Sequence, residues 1–269
     1  MLDVQYDRFQ SILPELDHAY GPNVHILSDP FLLSLLARLC APETEQPWIG
    51  ILVREIYERL FGTVIAHEVP LVKRAIATRM KAQHPEAVFE GPVLDDAQSF
   101  VTVNLARAGT LPSQVFYEKL NLFLSPKRVR QDHVSIARTT DTSHHVTGSQ
   151  VSGHKLGGET KGSTLFFPDP MGATGSTIAE AMKLYSKTGK PRKAVGVHCI
   201  VTPEFLRKVK AECPEMVIYA IRLDRGLSPP EVLREKPGKM WEKEKGLNDQ
   251  HYIVPGGGGF GELLNNAFV

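Results

Sequence analysis

Thr164-Leu165-Phe166-Phe167-Pro168-Asp169-Pro170-Met171-Gly172-Ala173-Thr174-Gly175-Ser176-Thr177 is the stretch whose residue types and spacing can do chemistry. An apolar run ends in a carboxylate, and a loop of small residues then opens onto a helical pattern. A strand-loop-helix turn of this kind presents backbone N–H groups at a helix N-terminus. A phosphate is favoured there by hydrogen bonding and by the macrodipole together. The threonine and serine hydroxyls can donate further bonds. Asp169, at the strand tip, is within reach of sugar hydroxyls. The segment has no Gly-Lys-Ser/Thr at Walker spacing and no G-x-G-x-x-G dinucleotide turn. Read as chemistry alone, it fits a phosphorylated sugar or a nucleotide. The plain alternative is a strand-to-helix turn capped by a threonine.

The elements that must position this loop alternate in type. Phe100–Leu105, His133–Ala137, Thr164–Phe167, Ala194–Val197 and Val217–Ile221 read as strands. Helical stretches at about Ser113–Leu122, Ser176–Tyr185 and Pro203–Ala211 separate several of them. Strands that are apolar throughout and separated by helices predict an α/β fold, with a parallel sheet covered on both faces. Upstream, Phe31 to Met80 reads as helical. Ile49, Leu52, Ile56 and Leu60 recur at spacings of three or four and make one helical face. This arm is expected to cover the core or to form a subunit contact, because its apolar content exceeds what a solvated arm tolerates. Thr139–Gly162 is polar and predicts a flexible loop or hairpin. Leu227–Gly246 breaks the alternation and reads as an insertion. The organisation expected is an N-terminal helical arm over residues 1–98, a core over 99–226 and a C-terminal hood over 227–269.

Composition narrows the partners. The chain has 269 residues, 42% hydrophobic and 23% charged, with 31 basic against 30 acidic residues and a formal charge of +1. Nucleic-acid binding normally shows as a basic excess or stripe, so none is expected and any bound anion is held locally. Asp3, Asp7 and Arg8 argue against a secretory signal. No apolar run approaches the ~18 residues that a membrane span needs. Cys40, Cys199 and Cys213 fit no metal spacing and read as reduced thiols, so the expected compartment is the cytoplasm. His144, His145 and His154 lack a paired carboxylate or cysteine, and no protein-held metal is expected from them. The charge run Lys236–Lys245, with Trp241 inside it, reads as a solvated lid or helix face.

The Asp169–Thr174–Gly175 segment resembles the phosphoribosyl pyrophosphate (PRPP) motif of uracil phosphoribosyltransferases, an Asp-Pro-Met-x-Ala-Thr-Gly core. Further matches follow in order: Arg107-Ala108-Gly109, Arg138, the Lys155-Leu156 pair, Leu223-Asp224-Arg225-Gly226-Leu227, Leu247-Asn248 and Tyr252-Ile253-Val254-Pro255-Gly256. The resemblance covers the chain from about Phe100 to its end and is weaker over the N-terminal helices. It implies the type I phosphoribosyltransferase fold, with about five parallel strands, flanking helices, an N-terminal helical arm and a C-terminal hood. It also implies transfer of the phosphoribosyl group of PRPP to uracil, giving UMP and pyrophosphate in pyrimidine salvage. Mg²⁺ would be carried with PRPP, and the protein would be a homodimer or higher homo-oligomer.

Residue by residue, the resemblance assigns catalysis to Arg107, Arg138 and Asp169. PRPP binding falls to these three with Pro170, Met171, Gly172, Ala173, Thr174, Gly175, Ser176, Thr177 and Gly259. Uracil is read by the backbone around Ile253 and by the Gly258-Gly259-Phe260 turn. Three positions depart from the family pattern. Gly259 stands where the family has an aspartate that contacts PRPP, with Glu262 three residues further on. Gly172 is usually a larger apolar residue, and Ser176 is usually glycine. Two other readings therefore stand beside the uracil enzyme: a PRPP or nucleotide sensor with weakened catalysis, and an enzyme for another base.

Overall fold

The computed structural model describes residues 11–140 and 146–267, leaving aside the side chains of residues 137–150. Its strands are β1 (Val24–Ile26), β2 (Leu71–Ala77), β3 (Val88–Leu94), β4 (Phe100–Ala106), β5 (Val129–Thr140), β6 (Val146–Lys155), β7 (Thr164–Pro168), β8 (Met171–Gly172), β9 (Lys193–Val201) and β10 (Val217–Leu223). β2 and β3 form a separate antiparallel hairpin. The others make one sheet in the order β1-β10-β9-β7-β4-β5-β6, with β8 beside β9. Every pairing in it is parallel except that of β5 with β6. The expected parallel core is present as β10-β9-β7-β4-β5. It is widened by β1 on one edge and by the returning strand β6 on the other.

The strand sequences explain why both faces are covered. In β7, Phe166 packs into one core while Leu165 and Phe167 pack into the other. In β10, Tyr219 and Ile221 alternate in the same way with Ile218 and Ala220. Successive side chains of a strand point to opposite faces, so strands apolar at every position need cover on both. α1 (Pro30–Leu39), α2 (Trp48–Glu68) and α3 (Thr110–Leu120) cover the first face. α4 (Ser176–Tyr185) and α5 (Pro203–Glu212) cover the second. Asp29 starts α1 by accepting the N–H groups of Phe31 and Leu32, and Thr202 starts α5 by accepting that of Phe205. In both cases a proline follows the cap, where its missing N–H costs nothing. Along α2 the buried residues include Ile49, Leu52, Ile56, Tyr57 and Leu60, so this helix covers the core as expected.

Two expectations fail in the N-terminal part. The helical reading to Met80 stops at Glu68, because Pro70 disfavours helix in the residue before it. Leu71–Ala77 instead pairs, residue for residue, with Val88–Leu94. That partner lies beyond the reach of local periodicity. Val24–Ile26 also contributes β1 to the main sheet, so the arm is woven into the core rather than only packed on it.

The segment from Leu227 to Gly246 is tied to the fold: in its Lys236–Lys245 charge run Lys236, Lys239, Glu242, Lys243 and Lys245 are exposed, as a solvated face should be, whereas Glu244 is buried. The segment holds α6 (Pro230–Leu233) and a short 3₁₀ turn at Trp241–Lys243. The carboxylate of Glu244, buried here, accepts from Tyr20, Arg225 Nη1 (2.9 Å) and the Gly238 N–H (2.8 Å). Trp241 donates to the Pro203 carbonyl (3.0 Å), and Lys210 lies over its ring. Within Thr139–Gly162, the end of β5 pairs antiparallel with β6 up to Lys155, as a hairpin would; residues 141–145, with His144 and His145, lie outside the described residues. Among the described residues, no helix is long and apolar enough to cross a membrane.

Candidate active site

β7 ends at Pro168, and Asp169 follows directly at the strand tip. Its N–H donates to the Val197 carbonyl (3.0 Å), and its own carbonyl lies 2.6 Å from His198 Nδ1. β9 therefore holds the backbone of the tip from two sides. Nδ1 faces a carbonyl and must carry the proton. His198 is buried, and burial pushes its pKa down to about 4, against the hydrogen bond to Asp169. Its Nε2 has no hydrogen-bond partner among the described residues. Burial likewise pushes the Asp169 carboxyl up to about 7, with the Met171 N–H acting in the opposite direction. Part of Asp169 nevertheless stays open to solvent, so a ligand can reach it. The carboxylate is thus costly to ionise in the free protein and ready to be paid for by a cation or by hydroxyl donors.

Pro170 to Thr177 form the loop and the start of α4. The Pro170 carbonyl accepts from Cys199 and Ile200. The Gly172 carbonyl accepts from the Thr202 N–H, and the Ala173 carbonyl from the Thr202 hydroxyl (2.6 Å). A Cβ on Gly172 would stand 2.9 Å from Val201 and 3.1 Å from Phe205. The space beside Gly172 is filled by Val201 of β9 and Phe205 of α5. Gly175 has φ +79°, a conformation that favours glycine, and no side chain caps the helix. Thr174 Oγ1 accepts from the Ser176 N–H (3.3 Å), and Ser176 and Thr177 open α4. An uncapped helix start with a left-handed residue before it is a site for an anion.

Arg107 stands in the turn after β4, next to β7 in the sheet. A Cβ on Gly109 would meet the Leu105 carbonyl at 2.8 Å and the Pro168 carbonyl at 3.1 Å, so this turn closes directly against the tip that carries Asp169. The Ala106–Arg107 peptide is cis. Arg107 is exposed, and its Nη1 donates to the Ala267 carbonyl (2.8 Å). Arg138 lies on β5, opposite Ser149, three residues beyond the last pairing with β4; its side chain is outside the described part. Lys155, at the end of β6 opposite His133, is exposed and separate from this group.

The C-terminal loop comes over the same tip. Ile253 forms a bridge with Leu247, and Gly256 and Gly258 have positive φ. A Cβ on Gly257 would lie 2.9 Å from Cys40 Sγ and 3.3 Å from Met171 Cε, so this loop rests on the loop that follows β7. The phenyl ring of Phe260 is buried in the core, leaving only its backbone to face a ligand. α7 (Phe260–Leu263) follows, and Gly261 approaches Arg107 and Ala108. At Gly259 a Cβ would stand 2.3 Å from Glu262 Oε2. The Glu262 carboxylate therefore fills the space into which a side chain at 259 would project.

Of the residues that hold this loop, the sequence pointed to Asp224 within its Leu223–Leu227 match but not to Arg222 or Tyr57. Arg222 forms a two-pronged pair with Asp224 (2.6 and 2.8 Å) and also donates to the Gly256 carbonyl (3.0 Å). Asp224 accepts the Gly256 N–H in turn (2.7 Å). Tyr57, on α2, donates to the Val197 carbonyl (3.1 Å) beneath the Asp169 tip. An Arg two residues before an Asp on a strand was the one available signal for the first; the buried Tyr57 looks like any core residue.

A family model described as uracil phosphoribosyltransferase matches residues 26–238. The chain is 25% identical over 246 residues to a uracil phosphoribosyltransferase of Pyrococcus furiosus, covering 91% of this chain and 90% of that one. It is also 25% identical over 238 residues to one of Thermococcus sibiricus, covering 88% and 87%. Among solved structures, the AQ2163 protein from Aquifex aeolicus is similar in fold, with a TM-score of 0.68 at 22% identity, covering 91% of this chain and 99% of that one. The matched span runs from β1 into the insertion and includes the tips of β4, β5 and β7. On that match and this geometry, the chain belongs to the uracil phosphoribosyltransferase family.

Proposed function

We propose that the protein transfers the phosphoribosyl group of PRPP to uracil, forming UMP and pyrophosphate. The observation that carries this reading is the convergence of three parts on one strand tip. These are a desolvated carboxyl at Asp169, an uncapped helix start at Gly175–Thr177, and a glycine-rich backbone loop resting on Met171. The 5′-phosphate is held by the N–H groups and hydroxyls of Ala173–Thr177. Asp169 orients the ribose hydroxyls. Uracil N1 bonds to C1′ as the bond from C1′ to the diphosphate oxygen breaks, and the N1 proton leaves to solvent. Arg107 and Arg138 take up the charge growing on pyrophosphate, a task that suits a guanidinium because it stays ionised. Mg²⁺ entering with the diphosphate supplies further charge neutralisation, and the single carboxylate at Asp169 suits a cation that keeps most of its ligands from substrate and water.

Uracil presents an acceptor-donor-acceptor edge, which backbone groups read only at close approach. Ile253 and Gly258–Phe260 supply such backbone. The free thiols of Cys40, Cys199 and Cys213 favour a reducing compartment such as the cytoplasm. Exposed Leu71, Ile76 and Met80 along the hairpin favour a homo-oligomer. The test is UMP formation from uracil, PRPP and Mg²⁺. Asp169→Asn is expected to cost about 10²-fold or more in kcat/KM. Equal turnover in parent and variant would sink the reading. The missing aspartate at 259 favours a second reading, a PRPP-binding protein without catalysis. In that case the parent binds PRPP without forming UMP, and Gly259→Asp restores turnover. A panel of other bases tests the remaining alternative, an enzyme of different base selectivity.

A further inference from the structure

At the far end of α2 from the PRPP-motif tip, three side chains of metal-ligand type come together. His25 of β1, His67 and Glu68 have ligand atoms that all lie within 4.8 Å of one another. Tyr57 sits beneath the Asp169 tip, and Glu68 is three helical turns further along the same helix, about 16 Å away. The cluster is therefore separate from the candidate active site.

The groups around the three are arranged as an outer layer. The His25 ring stacks on Tyr219, with centroids 4.6 Å apart and planes at 24°. The Tyr219 hydroxyl donates to Glu68 Oε1 (2.6 Å), so one tyrosine orients both residues. His25 Nδ1 is buried and has no hydrogen bond of good geometry, although Glu15 Oε1 lies 3.1 Å from it. A small rotation aligns that carboxylate with Nδ1–H, fixing the tautomer in which Nε2 is the free ligand atom. Carboxylate–histidine–metal relays are built in this way. His67, on the last turn of α2, is exposed, and its ring stands edge-on to His25 (centroids 5.4 Å apart) and to Tyr219 (6.2 Å). Lys193 neutralises Glu68 through Oε2 (2.6 Å), but its side chain is 38% exposed and can withdraw to water. Each carboxylate oxygen has a second lone pair, so the Tyr219 bond survives ligation. A concavity of about 430 Å³ lined by Glu15, Asp17 and His18 reaches His25 from solvent, and His67 is itself exposed.

We propose that His25, His67 and Glu68 form a binding site for a divalent transition-metal ion of the Zn²⁺ type. Imidazole nitrogens with one carboxylate select such an ion over Mg²⁺ or Ca²⁺, which prefer all-oxygen ligands. Donors about 2.0–2.2 Å from a tetrahedral ion stand roughly 3.3–3.6 Å apart. The ligand atoms, within 4.8 Å of one another, need to close by roughly 1 Å to reach that spacing. The ion joins the short edge strand β1 to the end of α2, so its role is to clip the sheet edge.

Full-length protein stripped with chelator and titrated with Zn²⁺ alone is expected to bind one ion, with a rise in Tm. His67→Ala and His25→Asn are expected to weaken binding about 100-fold or more and to remove the Tm rise. His84→Ala, on the hairpin, should leave both unchanged. Far-UV circular dichroism confirms that each variant is folded before titration. Co²⁺ in place of Zn²⁺ should give visible absorption without a thiolate charge-transfer band. Absence of binding, binding unchanged in both cluster variants, or a thiolate band would overturn the site.

Discussion

Gly259 and Glu262 are one problem at the scale of the residue. Gly259 has φ −75°, which any L-residue adopts, so its missing side chain is not required by the backbone. What occupies the space is the Glu262 carboxylate, delivered by one helical turn of α7. A carboxylate thus stands at position 259 by a different route. We expect Glu262→Gln to raise the KM for PRPP about tenfold, roughly 1.4 kcal/mol. Adding Gly259→Asp to that variant should restore it. Gly259→Asp alone must displace only the end of a flexible side chain, so its stability should stay within about 1 kcal/mol of the parent. A Glu262→Gln enzyme with parental KM would show that this carboxylate has no part in binding. Gly172 follows the same logic, since Phe205 and Val201 fill the volume that its side chain lacks.

The insertion matters most at the scale of the element. Glu244 is buried between Tyr20, Arg225 and Gly238, and Arg225 also donates to the carbonyls of Val232, Leu233 and Glu235. The segment is therefore a stitched part of the fold that ties the N-terminal Tyr20 to the end of β10. Breaking a buried pair by removing one partner strands the other charge. Glu244→Ala is expected to lose about 3–5 kcal/mol in urea unfolding at pH 7. A loss below about 1 kcal/mol would mean that the segment is a detachable lid. The Arg222–Asp224 pair does comparable work on the C-terminal loop, holding Gly256 by both its N–H and its carbonyl. In this hood, the glycines permit the backbone conformation and buried charge pairs keep it.

Across the whole molecule, the strand tip trades stability against readiness for ligand. Asp169 has a folded pKa raised to about 7, so its proton is bound more tightly in the folded state. Its contribution to stability falls as pH rises from about 4 to 7. His198 has a folded pKa lowered to about 4, so its contribution falls in the other direction, as pH drops from about 6.5 to 4. The two oppose each other across the same window. Asp169→Asn removes one of them. That variant should be more stable than the parent at pH 8, and should lose stability more steeply between pH 7 and 4. Urea midpoints across that range check both signs, and parallel curves for parent and variant would refute the assignment. The sequence by itself determined the order of the main strands and helices from Phe100 to Leu223, the small-residue turn between β7 and α4, and the α/β class. Each is written in local runs: apolar strands, small-residue turns, and caps followed by proline. Pairings between distant segments left no local trace. The β2–β3 hairpin, the entry of β1 into the sheet, the burial of Glu244 and the overlap of Glu262 with position 259 were decided by tertiary structure. In each case the deciding contact joins side chains or backbone brought together only when the chain folds, so neither periodicity nor spacing carries it.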